Sequence, residues 1–368
     1  MDELRNIPDW SYLLDDKKKI IFQAFGKELL EGKKIVSTPE YCFDMKSKLG
    51  VKHKNINGID FYRIGIKYNS NDLLNMGLEE NVFYSNILNK NVPFIDYDSA
   101  SRIITPESGF FDILNNKVRV NQNVYKDLVY VVELLMNKFG SDLINNIGVE
   151  GSLLFGISND NSDIDFLING SEAYRVLLRE WPKIVVENKI LQSLTSSNIS
   201  KMDMYNHRRE YIPYSKKEIL FHESRKLFTY IISNDIIRKI NFVCKFDEQE
   251  MKYVERFKKY FEGFKFKPID LCYASGKVIS NDNCFAIPSI YDVKISDLRV
   301  NDMVVNNKSV TYVIDYIGSY FMHLCNNEEF ECVGILEQLY DGENSLDQFR
   351  ISLNPWDKTK RKVYLKRK

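Results

Sequence analysis

Residues 163–168, with the sequence Asp-Ile-Asp-Phe-Leu-Ile, constrain the fold of this chain more than any other stretch. Turn-forming residues stand on both sides of this mostly apolar segment, which predicts a β-strand. Successive side chains of a strand point to opposite faces, with a rise of about 3.3 Å per residue. We therefore expect Asp163 and Asp165 on one face, and Ile164 and Phe166 on the other, in a core.

Two carboxylates on one face of a strand repel each other. For charges about 4–5 Å apart and an effective dielectric constant of about 20, the cost is about 3–4 kcal/mol. A divalent cation between them would turn the repulsion into attraction, and hard oxygen ligands suit Mg²⁺ or Mn²⁺. Asp163 and Asp165 therefore predict a metal site. The alternative, an ordinary strand after a polar loop, does not explain two acids on one face.

A glycine-serine pair, Gly151-Ser152, lies shortly before this strand, and Gly156 follows it. Glycine lets a backbone approach a phosphate closely. The serine hydroxyl and free backbone N–H groups can hold phosphate oxygens, most naturally at a helix N-terminus. We expect a strand over 144–149 before the pair and a short helix that begins at it. Gly-Ser alone is a weak signal, but Gly-Ser followed four residues later by Gly156, and then by Ser-Asp-Ile-Asp at the start of an apolar strand, is a strong one.

The motif comprises Gly151, Ser152, Gly156, Ser162, Asp163 and Asp165. Its spacing resembles the signature of the DNA polymerase beta-like nucleotidyltransferase superfamily, and in particular of its minimal members. More loosely, most of the chain resembles a group of predicted nucleotidyltransferases common in archaea. The resemblance implies a Mg²⁺-dependent enzyme that transfers a nucleoside monophosphate from a nucleoside triphosphate to an acceptor, which could be RNA, DNA, protein or a small molecule.

The resemblance also implies roles for the motif residues. Asp163 and Asp165 would coordinate Mg²⁺ (or Mn²⁺), while Gly151 and Ser152 would hold the β- and γ-phosphates. Ser162 would either bond a phosphate oxygen or only cap the loop that leads into the strand.

Members of the superfamily usually carry a third carboxylate on a neighbouring strand, where it often serves as the base. Residues 238–246 alternate cleanly and predict that strand, but it offers Asn241 where an acid is expected. Asp203 and Asp235 are alternatives for the third position. A nucleotide-binding protein that has lost catalysis, or a nucleic-acid adaptor with a vestigial core, are therefore the competing interpretations.

A polar, basic stretch over 200–230 could hold a triphosphate or a polynucleotide backbone. Within it, Arg225 and Lys226 are the favoured nucleotide-binding cations because they come just before the next predicted strand. A solvated helix face is an equally good interpretation of this stretch. Ser215 and Glu218 form a capping-box pattern, which predicts that a helix begins there.

The patterning predicts an α+β fold in three parts. Residues 1–117 form a helix, with an apolar stripe from Ile20 to Leu30, followed by a β-rich segment. Residues 118–264 form the nucleotidyltransferase core, a mixed sheet with helices. Residues 265–368 form a small OB-like β-barrel of five to six strands.

Barrels of the OB type often bind single-stranded nucleic acid through stacked aromatic residues and basic grooves. The aromatic residues available here are Tyr312, Tyr316, Tyr320 and Phe321. The segment is not basic, however, which favours a docking or scaffold barrel.

The overall charge excludes a strong basic field, since Lys plus Arg and Asp plus Glu number 51 each. A protein that resides permanently on nucleic acid usually carries such a field, so nucleic acid is expected only as a transient acceptor.

The hydrophobic content of 44% is typical of a soluble protein, and no apolar run approaches the roughly 20 residues of a membrane span. The six cysteines lack the spacing of a metal site. We therefore expect a cytoplasmic protein with reduced thiols and no membrane partner.

Overall fold

The computed structural model describes residues 7, 10–24, 31–43, 51–56, 59–64, 73, 78–85, 90–209, 214–233, 236–245, 250, 265–300, 303–304, 309–315, 318–353 and 363–368. The chain is a mixed α+β protein with several sheets. It divides into two compact units, one of residues 1–169 and 233–240, the other of residues 170–232 and 241–368. The three-part division with boundaries after residues 117 and 264 stays a prediction.

The first unit begins with a sheet of short antiparallel strands. These are β1 Tyr12–Asp15, β2 Ile20–Ala24, β3 Lys34–Phe43, β4 Val51–Ile56, β5 Ile59–Arg63, β6 Val82–Ser85, β7 Lys90–Asp96 and β8 Arg102–Ile104. The long strand β3 pairs with β2, β5 and β7. The main strand order is β4-β5-β3-β2-β1-β8, and β6 extends the sheet through β7.

The predicted N-terminal helix is wrong for residues 12–24, which form β1 and β2. All five residues of β2 are buried, because neighbouring strands flank it and both of its faces are covered. A short run that is apolar on every face does not distinguish a strand from a buried helix by periodicity. The rest of the stripe lies at residues 25–30, outside the described residues.

The elements around the motif follow this sheet in the first unit. They are α1 Pro106–Leu114, α2 Gln122–Phe139, α3 Ser141–Ile144, β9 Ile147–Val149 and β10 Ile164–Asn169. Helix α2 has a buried apolar face that includes Leu128 and Leu135, and Gly140 is its C-cap, at a φ of 75°. Strands β9 and β10 pair antiparallel, with Phe166 opposite Val149.

Strand β13, Ile236–Lys245, belongs to both units and confirms the strand predicted over 238–246. In the first unit, it neighbours β10. In the second, it neighbours β12 Thr229–Ser233, which pairs with β11 Leu191–Ser193.

The helices of the second unit are α4 Ser171–Glu187, α5 Asn198–Arg208 and α6 Lys216–Glu223. Helix α4 continues through Pro182. Helix α6 begins with the predicted capping box, in which Ser215 accepts from the Glu218 backbone N–H and the Glu218 side chain accepts in return. No helix in the described part of the chain is long and apolar enough to cross a membrane.

The C-terminal strands of the second unit include a closed ring of five. All the strands of this region are β14 Lys265–Asn283, β15 Ala286–Ile287, β16 Ser289–Val300, β17 Met303–Val304, β18 Val310–Asp315, β19 Glu329–Asp341, β20 Asn344–Ser352 and β21 Tyr364–Arg367. The ring runs β14-β16-β18-β20-β19 and back to β14. Its ladders are antiparallel except for the parallel pair β18–β20.

The described aromatic residues that were considered for base stacking are buried. Tyr312, Tyr320 and Phe321 are all buried, and the Tyr320 hydroxyl donates to the Val363 carbonyl oxygen at 2.7 Å. Tyr316 lies outside the described residues. The three described aromatic residues therefore belong to the interior. All six cysteines are free thiols, and all except Cys325 are buried.

Candidate functional site

The motif strand has the two faces that its sequence predicts. Ile164 and Phe166 are fully buried, whereas Asp163 and Asp165 are partly exposed. The Phe166 ring packs edge-on against Phe110 of α1, at 6.4 Å between ring centroids. The apolar face therefore anchors the strand in a core, and both carboxylates lie on the opposite face.

Strand β9 delivers the chain to the Gly-Ser turn, and a glycine within it allows close packing. A Cβ placed on Gly148 would lie 2.5 Å from the Cβ of Pro106, at the start of α1. After the strand, the Glu150 backbone N–H donates to the Asp165 carbonyl oxygen at 3.0 Å. The antiparallel register therefore continues, and it places Glu150 directly opposite Asp165, on the same face of the sheet.

The turn is tighter than the sequence predicted. Gly151–Leu153 is a single 3-10 turn, so the expected short α-helix does not form. Gly151 and Gly156 both have positive φ values, of 67° and 64°, which reverse the chain. The Gly151 N–H donates to the Tyr12 hydroxyl oxygen of β1 at 3.0 Å. The first sheet of the chain therefore holds the turn directly.

The two motif serines lie side by side. The Ser152 hydroxyl is 3.4 Å from the Ser162 hydroxyl. Ser162 also accepts a hydrogen bond from the Asn159 backbone N–H at 2.9 Å. Ser162 therefore closes the loop before the strand, which is one of its two predicted roles, and its neighbour Ser152 is partly exposed.

Two adjacent cations of β13 hold the start of the motif strand. Lys239 Nζ lies 2.6 Å from Asp163 Oδ2. On the other face of β13, the buried Arg238 donates to the Ser162 carbonyl oxygen and pairs with Asp127 of α2 at 2.6 Å. Sequence analysis missed both residues, although they directly precede Ile240 and Asn241 on the strand it identified.

Aromatic side chains of the first sheet pack on the turn. The Tyr12 ring makes an edge contact with Phe155, at 5.2 Å between centroids, and the Tyr41 ring lies 6.2 Å from Phe155. A Cβ on Gly151 would lie 3.7 Å from the Tyr41 hydroxyl oxygen. The face of the sheet that packs on the turn carries polar side chains. They are Tyr12, Gln23, Thr38 and Tyr41.

Two ionisable side chains of the same sheet, Glu40 and Arg63, interact electrostatically with Tyr41. Burial raises the pKa of Glu40 to about 7, although the charge of Arg63 acts in the opposite direction. Desolvation lowers the pKa of Arg63, but Tyr41, Glu40 and Asp165 raise it, with a net rise. Arg63 lies opposite Tyr41 in the β3–β5 ladder, and is therefore a cation near the motif that the sequence did not single out.

The predicted nucleotide-binding cations have protein partners. Arg225 makes two hydrogen bonds to the Glu328 carboxylate, at 2.7 and 2.6 Å. The Lys226 side chain is completely buried, with its Nζ 2.7 Å from Glu223 Oε1 and 4.3 Å from the centre of the Phe321 ring. Both cations are thus used within the second unit, in contrast to the expectation that they are available for phosphates.

The candidates for the position of the third carboxylate, Asp203, Asp235 and Asn241, differ in where they lie. Asp203 lies on helix α5 and is exposed, so it is not on a neighbouring strand. Asp235 lies outside the described residues. Asn241 is on β13, two residues from Lys239 and therefore on the same face of that strand. Its Oδ1 atom is buried, and no hydrogen-bond donor among the described residues reaches it.

The donor set fits a divalent metal ion only if other ligands complete its coordination. In the part of the chain that the structure describes, no group of three or more His, Cys, Asp or Glu side chains is placed to hold a metal. Mg²⁺ is commonly bound through one or two carboxylates together with substrate phosphates. Asp163 and Asp165 meet that requirement. The Lys239 ammonium group, 2.6 Å from Asp163 Oδ2, shows that a cation can lie next to this carboxylate.

Among curated proteins, the chain is similar to the Uncharacterized protein MJ1086 of Methanocaldococcus jannaschii. The two are 27% identical over 208 residues, which is 56% of this chain and 55% of the relative. The chain thus spans about half the length of the curated relative that it matches. No family model matches the chain, and no solved structure matches it.

Proposed function

We propose that this protein is a Mg²⁺-dependent nucleotidyltransferase that transfers a nucleoside monophosphate from a nucleoside triphosphate to an acceptor. The observation that supports this most is the assembly of the motif. Ser152 contacts Ser162 at 3.4 Å, and the strand that follows presents two partly exposed carboxylates on one face. The serine hydroxyl and the two acids are the groups that phosphoryl transfer requires.

The roles of the residues follow from their positions. Asp163 and Asp165 would hold Mg²⁺, which supplies Lewis-acid stabilisation of phosphoryl oxygens. The partly exposed Ser152 hydroxyl would donate to a phosphate oxygen. Tyr12 fixes the Gly151 backbone by accepting its N–H, so the turn keeps its shape when a phosphate arrives.

The acceptor is proposed to be RNA, DNA, protein or a small molecule, with nucleic acid only transiently bound. Closure and strand number support an OB-like barrel for the ring of β14, β16, β18, β20 and β19, since that fold is a five-stranded barrel. Because Tyr312, Tyr320 and Phe321 are buried, a role in docking is favoured over base stacking.

A second candidate is a nucleotide-binding protein that has lost catalysis. It is favoured by Asn241, a neutral amide on the strand that neighbours the motif strand, where an acid was expected. An amide cannot take a proton at neutral pH, and general-base assistance is worth about 10²–10⁴ in rate. Under this alternative, triphosphate binds but pyrophosphate is not released.

The test is incubation of the full chain with each labelled nucleoside triphosphate, Mg²⁺ and extracted RNA or protein. Transferase activity predicts Mg²⁺-dependent pyrophosphate release and label on one class of acceptor. Binding of the triphosphate without release would favour the degenerate protein. If the chain binds no triphosphate in the presence of Mg²⁺, both candidates are wrong.

A further inference from the structure

Lys239 occupies an unusual position for a lysine. Its side chain is only 9% exposed, and its Nζ lies 2.6 Å from Oδ2 of Asp163, whose side chain is 39% exposed. A buried ammonium group is costly unless it is paired. The contact with Asp163 therefore both stabilises Lys239 and supplies a positive charge to one of the two motif carboxylates.

The alternation along β13 directs this charge to the motif. Arg238 points to the other face, where it pairs with Asp127, and Ile240 and Phe242 are buried. Lys239 therefore lies on the face of β13 that it shares with the neutral Asn241, and it is the residue of the two that brings a charge to Asp163. The short distance to Asp163 follows from the adjacency of β13 and β10 in the sheet.

The position of Lys239 limits where a second metal ion could lie. Its Nζ already pairs with Oδ2 of Asp163 at 2.6 Å. Glu150, opposite Asp165, and the triphosphate add negative charge, so this limit comes from the position of the ammonium group and not from the total charge. A second divalent cation at these acids would have to displace the lysine or lie close to its ammonium group, and like charges a few ångströms apart repel strongly away from bulk water.

Many phosphoryl-transfer sites hold two metal ions, about 3.5–4 Å apart, which stabilise the attacking and the leaving oxygen. We propose that Lys239 is a fixed cation that takes the place of one of these ions, so that the protein binds a single divalent ion together with its triphosphate. This inference rests on the proposed function, because it assumes that Asp163 and Asp165 bind a metal. Lys239 then offsets carboxylate repulsion before the metal arrives, and it supplies the second positive charge afterwards.

The experiment measures Mn²⁺ stoichiometry on the full chain, in the presence of a non-hydrolysable triphosphate analogue, from the electron paramagnetic resonance signal of free Mn²⁺. We expect one Mn²⁺ per parent chain. Lys239→Met, which keeps the length but removes the charge, should bind a second Mn²⁺ or bind the first at least tenfold more tightly. The matched control is Lys117→Met, because Lys117 is an exposed lysine paired with Asp112 at 3.1 Å; it should behave as the parent.

Two results would overturn the inference alone: two Mn²⁺ ions in the parent, or unchanged stoichiometry and affinity in a folded Lys239→Met. If Lys239→Met does not fold by circular dichroism, Lys239→Arg takes its place. It keeps the charge and should retain one Mn²⁺, so a second ion would contradict the inference. If the parent binds no Mn²⁺, or if Asp163→Asn with Asp165→Asn binds it as the parent does, the metal site itself is wrong and the proposed function falls with it.

Discussion

Replacing Glu40 by glutamine tests the buried polar face that supports the motif turn. Glu40 is buried on β3, and its Oε1 atom has no hydrogen-bond partner among the described residues. Burial raises its pKa from 4.5 to about 7, and Arg63 offsets only part of this effect. Glutamine keeps the shape of the side chain and removes its titration.

The sign of the effect follows from the direction of the pKa shift. Because the folded protein holds the proton of Glu40 more tightly than the unfolded chain does, this group stabilises the fold fully below about pH 4.5. That contribution is lost as the pH rises to about 7. At 1.36 kcal/mol for each pH unit between these values, the change is about 3 kcal/mol.

The assay is urea unfolding followed by far-UV circular dichroism at several pH values between 4 and 8. The difference in unfolding free energy between Glu40→Gln and the parent should grow by about 3 kcal/mol in favour of the variant as the pH rises. His222 and His323 also titrate, because burial lowers their pKa values to about 4 and about 3. Their effect on stability is the same in both proteins, so it cancels in the difference.

A control variant is Glu80→Gln, because Glu80 is an exposed acid paired with Lys18 at 3.1 Å. Its stability difference from the parent should stay nearly constant with pH, since exposed ion pairs are worth little. Parallel pH profiles for the parent and Glu40→Gln would refute the reasoning, because they would mean that Glu40 titrates at an ordinary pKa in the folded protein.

Three further predictions concern the motif. Asp163→Asn with Asp165→Asn should abolish Mg²⁺-dependent triphosphate binding in calorimetry while circular dichroism shows an intact fold; binding equal to the parent's would contradict the site. Gly151→Val should cost about 1–2 kcal/mol in thermal unfolding, because Gly151 has a φ of 67°, and it should lower triphosphate affinity at least tenfold; unchanged affinity would make the turn only a connection. Asn241→Asp should raise Mg²⁺ affinity and speed pyrophosphate release; a fast parent that is indifferent to this change would show that the base lies elsewhere.

The motif strand could be predicted because its information is local. Ile164 and Phe166 alternate with the two acids within four residues, and the burial pattern follows directly. The 3-10 turn at Gly151 was harder, because its shape depends on the hydroxyl of Tyr12, 139 residues away. The same holds for Lys239, which reaches Asp163 only when β13 lies next to β10.

The remaining errors have similar causes. Residues 20–24 are apolar on every side, so their periodicity did not show that they lie between two strands. Arg225 and Lys226 lie within a basic stretch, and both are paired with acids. The two acids lie at very different distances along the sequence. Glu223 is three residues from Lys226 and could have been noticed, whereas Glu328 is 103 residues from Arg225 and could not.

The hydrogen bond between the Tyr12 hydroxyl and the Gly151 N–H also determines how far this protein can be dissected. A fragment of residues 118–264, the span that the sequence marked as the core, would lose Tyr12, Tyr41 and the strands that hold them. Its Gly-Ser turn would lack the phenol that fixes its backbone, and Phe155 would be exposed on one side. A fragment that keeps the native shape of the turn therefore has to include the amino-terminal strands. In a fusion or library design that omits them, the Gly151 N–H would have no Tyr12 hydroxyl to bind.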